Sequence, residues 1–388
     1  MRIAYVCMDA GIPVFGRKGA SVHVQGVIAA MLRAGHEVQL FCARVGADAP
    51  QWAAQVAVHQ VTVPAAADAG SSSRWIAAVN ESLVDALNAR GHFDVVYERY
   101  SLWSAAGMQY ARAHGVPGIL EVNAPLIEEQ ATHRSLADRE GAERVASEVF
   151  AAASSIVAVS HEVAAYVNGF PRRRTDAVVE ANGFDPVRFA GIERQADEPF
   201  TIGFLGTLKP WHGIETLAAV FAGVQAQLPS ARLLVVGDGP ERGALQATLG
   251  AAHDAGAVEF AGAVPPEWVG PWLARMDVAL APYPADAPFY FSPLKVVEYM
   301  AAGIAVVASD IGQIPSLIDQ GRTGVLVPPG DVGACVDACL ALHADPARRR
   351  ALGEAGRCEA MATRTWDAVV ARMLGRACRA QQATRVSA

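Results

Sequence analysis

The chain has 388 residues, of which 52% are hydrophobic and 18% are charged, and its net charge is -7. This length exceeds what one hydrophobic core usually organises, so two folded domains are expected. The high apolar content excludes a disordered chain. The acidic balance, with Lys and Arg scattered, gives no basic stripe and excludes nucleic acid as a partner.

Short Val- and Ile-rich runs alternate along the chain with longer Ala- and Leu-rich segments of helical period. This alternation is typical of parallel sheets covered by helices and predicts an α/β fold. We expect a first domain at residues 1–183 and a linker at 184–199, a polar stretch with two prolines. The predicted strands of the first series are Ile3 to Cys7, Val38 to Ala43, Val58 to Val63, Val95 to Glu98, Ile119 to Val122 and Ile156 to Val159.

The pattern restarts after the linker and predicts a second α/β domain at residues 200–364. Its predicted strands are Thr201 to Leu205, Leu233 to Val236, Val258 to Phe260, Val278 to Ala281, Ala305 to Ala308 and Val325 to Val327. The charged segment from Leu126 to Ala153 is interpreted as a solvated helix face.

No apolar run reaches the roughly 18 residues that a membrane span needs, so no transmembrane segment is expected. Met1 is followed at once by the first strand rather than by a signal peptide, and we expect a soluble, cytoplasmic protein. The run Arg172-Arg173-Arg174 is shorter than the clusters of about four to eight basic residues that bind anionic lipid. We interpret it as a loop and leave peripheral membrane association open.

In open α/β sheets, ligands bind beyond the carboxyl ends of the strands, so the loops there are the candidate ligand sites. The loop after the first strand contains Gly16 and Gly19 and opens a helix for which Ser21 is a possible cap. Bare amides at a helix start attract phosphate, which makes Gly19 a candidate donor-binding residue. An ordinary strand-to-helix turn explains this loop equally well.

Two further loops follow strands of the second domain. One contains Gly206, Thr207, Lys209 and His212, and its lysine beside glycines suits a diphosphate. The other, Val236 to Pro240, contains Gly239, for which a plain turn and a ligand contact are about equally favoured.

The fourth loop leads from Tyr290 into a helix at Ser292-Pro293-Leu294-Lys295. Pro293 fits the first position of that helix, so the amides around Ser292 to Lys295 are expected to face an anion. Glu298, one turn later, would accept hydrogen bonds from hydroxyl groups such as those of a ribose.

Taken together, ordered blocks across nearly the whole chain resemble family 4 of the retaining glycosyltransferases. The blocks are Gly16 to His23, Gly35 to Val38, Val159-Ser160, Asn182 to Asp185, Gly206 to Gly213, Gly237 to Pro240, Ser292 to Gly303 and Gly321 to Asp331.

The resemblance implies the GT-B architecture, in which two Rossmann-like domains face each other across an interdomain cleft. It also implies transfer of a sugar from a nucleoside diphosphate to an acceptor that the sequence does not identify, with retention of configuration. Glu298 would then bind the donor ribose, Ser292 to Lys295 would cradle the diphosphate and Lys209 would supply positive charge beside it. A final helix at about 365–380 would return to the first domain.

This sequence departs from the family pattern at several positions. The family commonly has two glutamates in the fourth loop, and Tyr290 stands at the first of these positions. Thr207 and His212 stand where many members have Arg and Lys, and Asn123 replaces a frequent histidine at a strand end. The predicted catalytic residues are therefore Lys209, Lys295 and Asn123, with a strand-end turn as the alternative role for Asn123.

No Asp-x-Asp pair occurs at a strand end and no His, Cys or carboxylate cluster has ligand spacing, so neither a metal nor a cofactor is expected. Glu98, Arg99 and Glu121 end strands of the first domain, where ligand contact and a structural ion pair both stay open. One alternative function is a catalytically silent partner that binds a nucleotide sugar. Another is a Rossmann oxidoreductase, although the first loop lacks the dinucleotide fingerprint.

Overall fold

The computed structural model describes residues 1–62, 73–133, 135–192, 199–286 and 289–386. The chain divides into two compact units, Met1–Asn182 with Trp366–Ala388, and Gly183–Thr365. Residues 184–192 of the expected linker therefore belong to the second unit, and 193–198 lie outside the described residues, as does Val63 of the third predicted strand.

In the first unit, the described strands form a parallel sheet in the order β3-β2-β1-β4-β5-β6-β7. The strands are β1 Arg2–Cys7, β2 Glu37–Cys42, β3 Ala57–Gln60, β4 Val95–Arg99, β5 Gly118–Val122, β6 Ser155–Ala158 and β7 Val178–Val179. The α-helices are α1 Gly19–Arg33, α2 Ser73–Arg90, α3 Ala106–Ala113, α4 Leu126–His133, α5 Arg139–Ala152, α6 His161–Asn168 and α15 Trp366–Val386.

In the second unit, the parallel sheet has the order β10-β9-β8-β11-β12-β13. The strands are β8 Thr201–Leu205, β9 Arg232–Val236, β10 Val258–Gly262, β11 Val278–Ala281, β12 Ala305–Ser309 and β13 Val325–Val327. The α-helices are α7 Ile214–Gln227, α8 Arg242–Thr248, α9 Gly250–Asp254, α10 Val269–Leu273, α11 Leu294–Ala301, α12 Ile314–Leu317, α13 Val332–Ala344 and α14 Pro346–Thr363.

The predicted α/β class with parallel sheets is confirmed in both units. In each sheet the second and third strands add on one side of the first strand, and the later strands add on its other side. This is the strand order of a Rossmann fold. The sheets are buried on both faces, so their strands are nearly continuous runs of Val, Ile, Leu and Ala. Short 3-10 helices occur at Gln51–Gln55, Pro186–Phe189, Pro210–His212 and Pro266–Trp268.

Helix α15 packs on the first unit through buried aromatic contacts. The Trp366 indole lies edge-on to the His23 ring, with 4.6 Å between ring centroids, and a Cβ built at Gly26 would collide with that indole. Two ion pairs also hold this helix: Arg33 pairs with Asp367 at 2.8 Å, and Arg372 pairs with Glu180 at 2.6 Å. Glycine at position 26 is therefore explained by the close approach of α15 to α1.

The charged segment between residues 126 and 153 is not one helix. It consists of α4 and α5, and the second begins after Asp138, whose side chain accepts from the Gly141 amide at 2.7 Å. Asp is a preferred N-cap residue because its carboxylate satisfies an amide that the helix leaves open.

Candidate functional site

The loops after β8 and β11 lie side by side in the second unit, because these strands are neighbours at the point where the strand order reverses. This is where open α/β sheets bind ligands. Gly213 adopts the left-handed region at φ 70°, and a Cβ there would collide with the Pro282 carbonyl. Glycine at this position allows the two loops to approach closely.

The loop after β9 is fastened to the loop after β8. The Gly206 amide donates to Val236 O at 2.9 Å and the Leu208 amide donates to Asp238 O at 3.0 Å. A Cβ built at Gly239 would overlap the Leu208 backbone, so packing alone requires glycine there. Contact of Gly239 with a donor stays a prediction.

Lys295 is the most unusual side chain of this region. It is 7% exposed, and its Nζ has no hydrogen-bond partner among the residues that the structure describes. The Nζ lies 4.0 Å from the centroid of the Phe204 ring and 5.3 Å from that of Tyr283. Burial lowers the pKa of Lys295 to about 7, and the charge of Glu298 partly opposes this shift. A buried amine without a partner is suited to an anionic ligand.

Helix α11 begins at Leu294, one residue later than predicted. Pro293 is the N-cap, with extended backbone at φ -78° and ψ 96°, so its expected place at the first helical position is wrong. Its carbonyl accepts from the Val296 amide at 3.1 Å. The amides of Leu294 and Lys295 precede any intrahelical acceptor and give this helix end a partial positive charge. Ser292 is buried beside them.

Tyr299 fixes the position of α11 and was not singled out from the sequence. Its buried hydroxyl accepts from the Leu205 amide at 2.7 Å and donates to the Leu280 carbonyl at 3.2 Å. One side chain thus ties the helix to β8 and to β11. An aromatic residue in an apolar helix carries no sequence signal for such a bond.

His212 is a neutral side chain at physiological pH. Burial and the charge of Lys295 lower its pKa to about 3, and its Nδ1 donates to the Thr207 carbonyl at 2.5 Å. Its ring packs against Tyr283, with 6.0 Å between centroids. His212 therefore orders the loop after β8 and does not replace the positive charge of the Lys that many family members have there.

Lys209 is half-buried, and its Nζ lies 4.6 Å from the centroid of the Trp211 ring. Thr207 is exposed, whereas Tyr290 is half-buried and packs edge-on to Phe291 at 6.0 Å. The structure thus brings Gly206, Thr207, Lys209, His212 and Lys295 to one corner of the second unit. Their contact with a donor stays a prediction.

Glu298 forms an ion pair that the sequence did not reveal. Its Oε1 lies 2.8 Å from Nη1 of Arg188, and each side chain is 13% exposed. Arg188 is held in place because its Nε donates to the Pro266 carbonyl at 2.8 Å and its guanidinium lies over the Phe189 ring. A carboxylate offers about four lone-pair sites, so this pairing leaves Glu298 able to accept from ligand hydroxyls.

In the first unit, Asn123 directly follows β5. Its Oδ1 and Nδ2 are both buried and lack hydrogen-bond partners among the described residues. Buried side-chain amides of native proteins are usually hydrogen-bonded, and both polar atoms of Asn123 are available to a ligand. The binding role of Asn123 stays a prediction, and its position directly after β5 also fits the strand-end turn.

Gly19 is the first residue of α1, and Lys18 is the N-cap. Ser21 is not a cap, since its hydroxyl donates to the Pro13 carbonyl at 2.6 Å and thereby folds the preceding loop. Donor contact at Gly19 stays a prediction.

The polar strand-end residues of the first unit do not form the ion pair considered for Glu98 and Arg99. Neighbouring residues on a strand point to opposite faces of the sheet, so the side chains of Glu98 and Arg99 point apart. The Glu98 carboxyl instead accepts from Ser104 Oγ at 2.7 Å and from the Met108 amide at 2.9 Å. The Glu121 carboxylate pairs instead with His23 at 2.6 Å. Burial alone would raise the pKa of Glu121, but the contact with His23 lowers this pKa, and the net shift is downward.

Among the described residues, no group of three or more His, Cys, Asp or Glu side chains is arranged to hold a metal ion. Within the same residues, no helix combines the length and the apolarity that crossing a membrane requires. Arg173 of the arginine run bonds Asp176 at 2.7 Å, which reduces the charge that this loop presents.

Two family models match consecutive parts of the chain. The model described as Glycosyltransferase Family 4 matches residues 17–188, and the model described as Glycosyl transferases group 1 matches residues 199–345. The chain belongs to glycosyltransferase family 4. The resemblance inferred from the sequence blocks is thus confirmed.

Curated relatives of this family 4 chain include several mannosyltransferases. A GDP-mannose-dependent alpha-(1-6)-phosphatidylinositol monomannoside mannosyltransferase of Mycobacterium tuberculosis is 30% identical over 49% of this chain and 50% of the relative. A phosphatidyl-myo-inositol mannosyltransferase of Mycolicibacterium smegmatis is 31% identical over 44% of each. The chain spans about half the length of the curated relatives it matches.

Solved structures share the fold over almost the entire family 4 chain. Sucrose-phosphate synthase of Thermosynechococcus elongatus has a TM-score of 0.73 at 22% identity and covers 99% of this chain and 100% of its own. The Anabaena protein HepE in complex with UDP-glucose has a TM-score of 0.70 at 18% identity and covers 97% and 99%. The GT-B assignment is confirmed by these likenesses.

Proposed function

We propose that the chain transfers a sugar from a nucleoside diphosphate to a hydroxyl group of an acceptor, with retention of the anomeric configuration and without a metal ion. The observation that carries this proposal is the buried Lys295 amine, which lacks a described hydrogen-bond partner at the start of α11. A diphosphate oxygen would supply the missing partner and restore the positive charge of the amine.

We propose that three groups of positive potential bind such a diphosphate. They are the Lys295 ammonium, the first-turn amides of α11 at Leu294 and Lys295, and the Lys209 ammonium on the neighbouring loop. Helix amides and ammonium groups neutralise phosphate without a metal. This arrangement supports metal independence, and transfer should therefore survive treatment with EDTA.

We propose one further role in each unit, for Glu298 in the second and for Asn123 in the first. Glu298, oriented by Arg188, would accept from the ribose hydroxyls. The unpartnered amide of Asn123 suits a hydroxyl group, because it can both donate and accept. We assign Asn123 to sugar positioning rather than to proton transfer, since an amide does not titrate.

In the transfer step, the bond between the anomeric carbon and the phosphate oxygen breaks, and a bond to the acceptor oxygen forms on the same face of the sugar. The acceptor's proton passes to the departing diphosphate. Negative charge grows on the leaving oxygen during this step, so fixed cations stabilise the transition state more than the bound donor. Lys295 and Lys209 fill that role.

One curated relative is named GDP-mannose-dependent, and one solved structure of the same fold contains UDP-glucose. The test therefore presents both GDP- and UDP-sugars with saccharide acceptors and follows the product anomer by NMR. We expect an α-linked product from an α-linked donor, with EDTA present or absent. Lys295→Met should lower turnover by about 10²-fold, as removing one oxyanion donor does.

A matched control is Trp268→Ala, which removes an exposed side chain of the same unit and should leave turnover unchanged. A β-linked product would contradict retention. Loss of transfer on chelation, with recovery on adding magnesium, would contradict the phosphate site. Tight donor binding without any turnover would instead support the catalytically silent partner.

A further inference from the structure

A pocket of about 330 Å³ lies in the first unit, beyond the carboxyl ends of β1 and β4. It is formed by the loops that follow these strands, by α2 and by the first turns of α4. None of the residues predicted for the donor is among its described lining residues. Its volume falls within the range of small-molecule sites, about 300 to 1,000 Å³.

Two tryptophans form the apolar wall, and we call this cavity the tryptophan pocket. Trp75 of α2 and Trp103 of the loop after β4 are half-buried, and their rings meet edge to face with 6.2 Å between centroids. Indole rings offer large rigid faces that bury apolar ligand surface with little loss of side-chain entropy. The C–H faces of a sugar ring match such a surface.

The loop that carries Trp103 is held rigidly. Asn80 donates to the Trp103 carbonyl at 2.9 Å and accepts from the Ala105 and Ala106 amides at 2.8 and 3.0 Å. Ser104, which also lines the pocket, donates to the buried carboxyl of Glu98 at 2.7 Å. Because these bonds exist before a ligand arrives, binding requires little ordering of this wall.

The polar wall of the tryptophan pocket is acidic. It contains the carboxylates of Asp9 and Glu129 and the amide of Gln130, and no Lys, Arg or His is among the described lining residues. Carboxylates accept hydrogen bonds from hydroxyl groups and repel phosphate. One Asp9 oxygen accepts from the Gly11 amide at 2.7 Å, which orients the group.

We propose that the tryptophan pocket binds a neutral saccharide ring, which is the acceptor end of the substrate. The aromatic wall selects a ring with apolar C–H faces, the acidic wall selects hydroxyl groups, and the charge excludes a phosphate at this point. The acceptor role rests on the proposed transfer function, whereas the saccharide binding does not. A phosphorylated headgroup, suggested by the names of the mycobacterial relatives, is the competing occupant.

The test measures saccharide binding to the full chain without any donor. Methyl α-glucoside, methyl α-mannoside, maltose and glucose 6-phosphate are titrated and followed by saturation-transfer NMR. We expect at least one neutral sugar to bind, and glucose 6-phosphate to bind more weakly than the neutral sugars. Trp103→Ala should weaken binding by about tenfold or more, as loss of a buried aromatic anchor does, whereas Trp103→Phe should largely retain it.

Two further variants keep the test informative if Trp103→Ala does not fold. Glu129→Gln removes one charge and should raise the affinity for glucose 6-phosphate relative to a neutral sugar. Trp268→Ala, at a tryptophan that is 61% exposed in the second unit, should change neither. The proposal is overturned if no neutral sugar binds, if Trp103→Ala binds as the wild type does, or if glucose 6-phosphate binds best.

The same samples separate this proposal from the transfer function. If both hold, Trp103→Ala raises the acceptor KM and leaves the affinity for UDP or GDP unchanged. Saccharide binding by a wild-type chain that binds no nucleoside diphosphate would contradict the transfer function and leave the tryptophan pocket as a saccharide site. Sugar transfer by a chain whose saccharide binding does not involve Trp103 would support the transfer function and contradict the tryptophan pocket as the acceptor site.

Discussion

Burial of the Lys295 ammonium costs free energy that no described hydrogen bond offsets. Its pKa of about 7 in the folded chain lies below the ordinary value of 10.5. Between these values the unfolded chain binds more protons than the folded chain, so the stability of the folded chain rises with pH across this window. The cost is therefore fully present below about pH 7 and declines towards pH 10.5.

This sign gives a prediction for Lys295→Met, whose side chain can still pack on Phe204. The variant should be more stable than the wild type at about pH 6, by on the order of a few kcal/mol, and the difference should shrink towards pH 9. Thermal unfolding at several pH values measures the difference. A difference that does not change with pH would mean that Lys295 does not titrate in this range.

Glu298→Gln tests the ribose contact. A neutral amide accepts less strongly than a carboxylate, so we expect a loss of about tenfold or more in affinity for UDP or GDP. The substitution also releases the Arg188 charge, which would strengthen binding of any diphosphate. Calorimetry with pyrophosphate and with 2′-deoxynucleoside diphosphates separates the two effects, because neither ligand offers a complete ribose diol.

If Glu298 binds the ribose, the wild type prefers ribonucleotides over 2′-deoxynucleotides and the variant loses this preference. An unchanged preference would leave Glu298 with only its structural pairing to Arg188.

Trp366 anchors the first turn of α15 through an aromatic contact, beside the ion pairs of Arg33 and Arg372. Trp366 is buried against His23 and lies over Gly26 in the first unit. Trp366→Ala should cost about 3–5 kcal/mol, as other buried Trp truncations do, and should lower the melting temperature. Differential scanning calorimetry measures this, with Trp268→Ala as the exposed control that should change stability by less than about 0.5 kcal/mol. Equal melting temperatures for both variants would contradict the account of α15.

The sequence predicted the strands more accurately than it predicted where the helices begin. Runs of Val and Ile predicted every strand of the described residues except β7, whose two residues Val178–Val179 are too few to show a period. The start of α11 was one residue wrong because Pro suits both the first helical position and the residue before it. Asp138 is a preferred N-cap residue and therefore indicates that a helix begins after it. The segment was interpreted from its charges, and this indication was missed.

At the scale of the whole molecule, the alternation of strands and helices was enough to predict two parallel sheets. It could not predict the pairing of Arg188 with Glu298 or the meeting of Trp75 with Trp103. In each pair, the two residues lie far apart in the sequence and meet only through tertiary packing. Motifs therefore located the loops of the candidate site, whereas the burial and charge state of Lys295 required the structure.

Binding of a nucleoside diphosphate at Lys295 is tested by calorimetry with UDP and GDP. Titrations at about pH 7.5 in buffers of different ionisation enthalpy report protons taken up, because a bound anion raises the pKa of a buried amine. Lys209→Met is the matched control, which should weaken binding and retain proton uptake. We predict that the wild type takes up a fraction of a proton when it binds UDP or GDP, and that its affinity for them falls above about pH 7. In Lys295→Met, both the proton uptake and this pH dependence should be lost. Equal affinity and no proton uptake in the wild type and in Lys295→Met would contradict the claim.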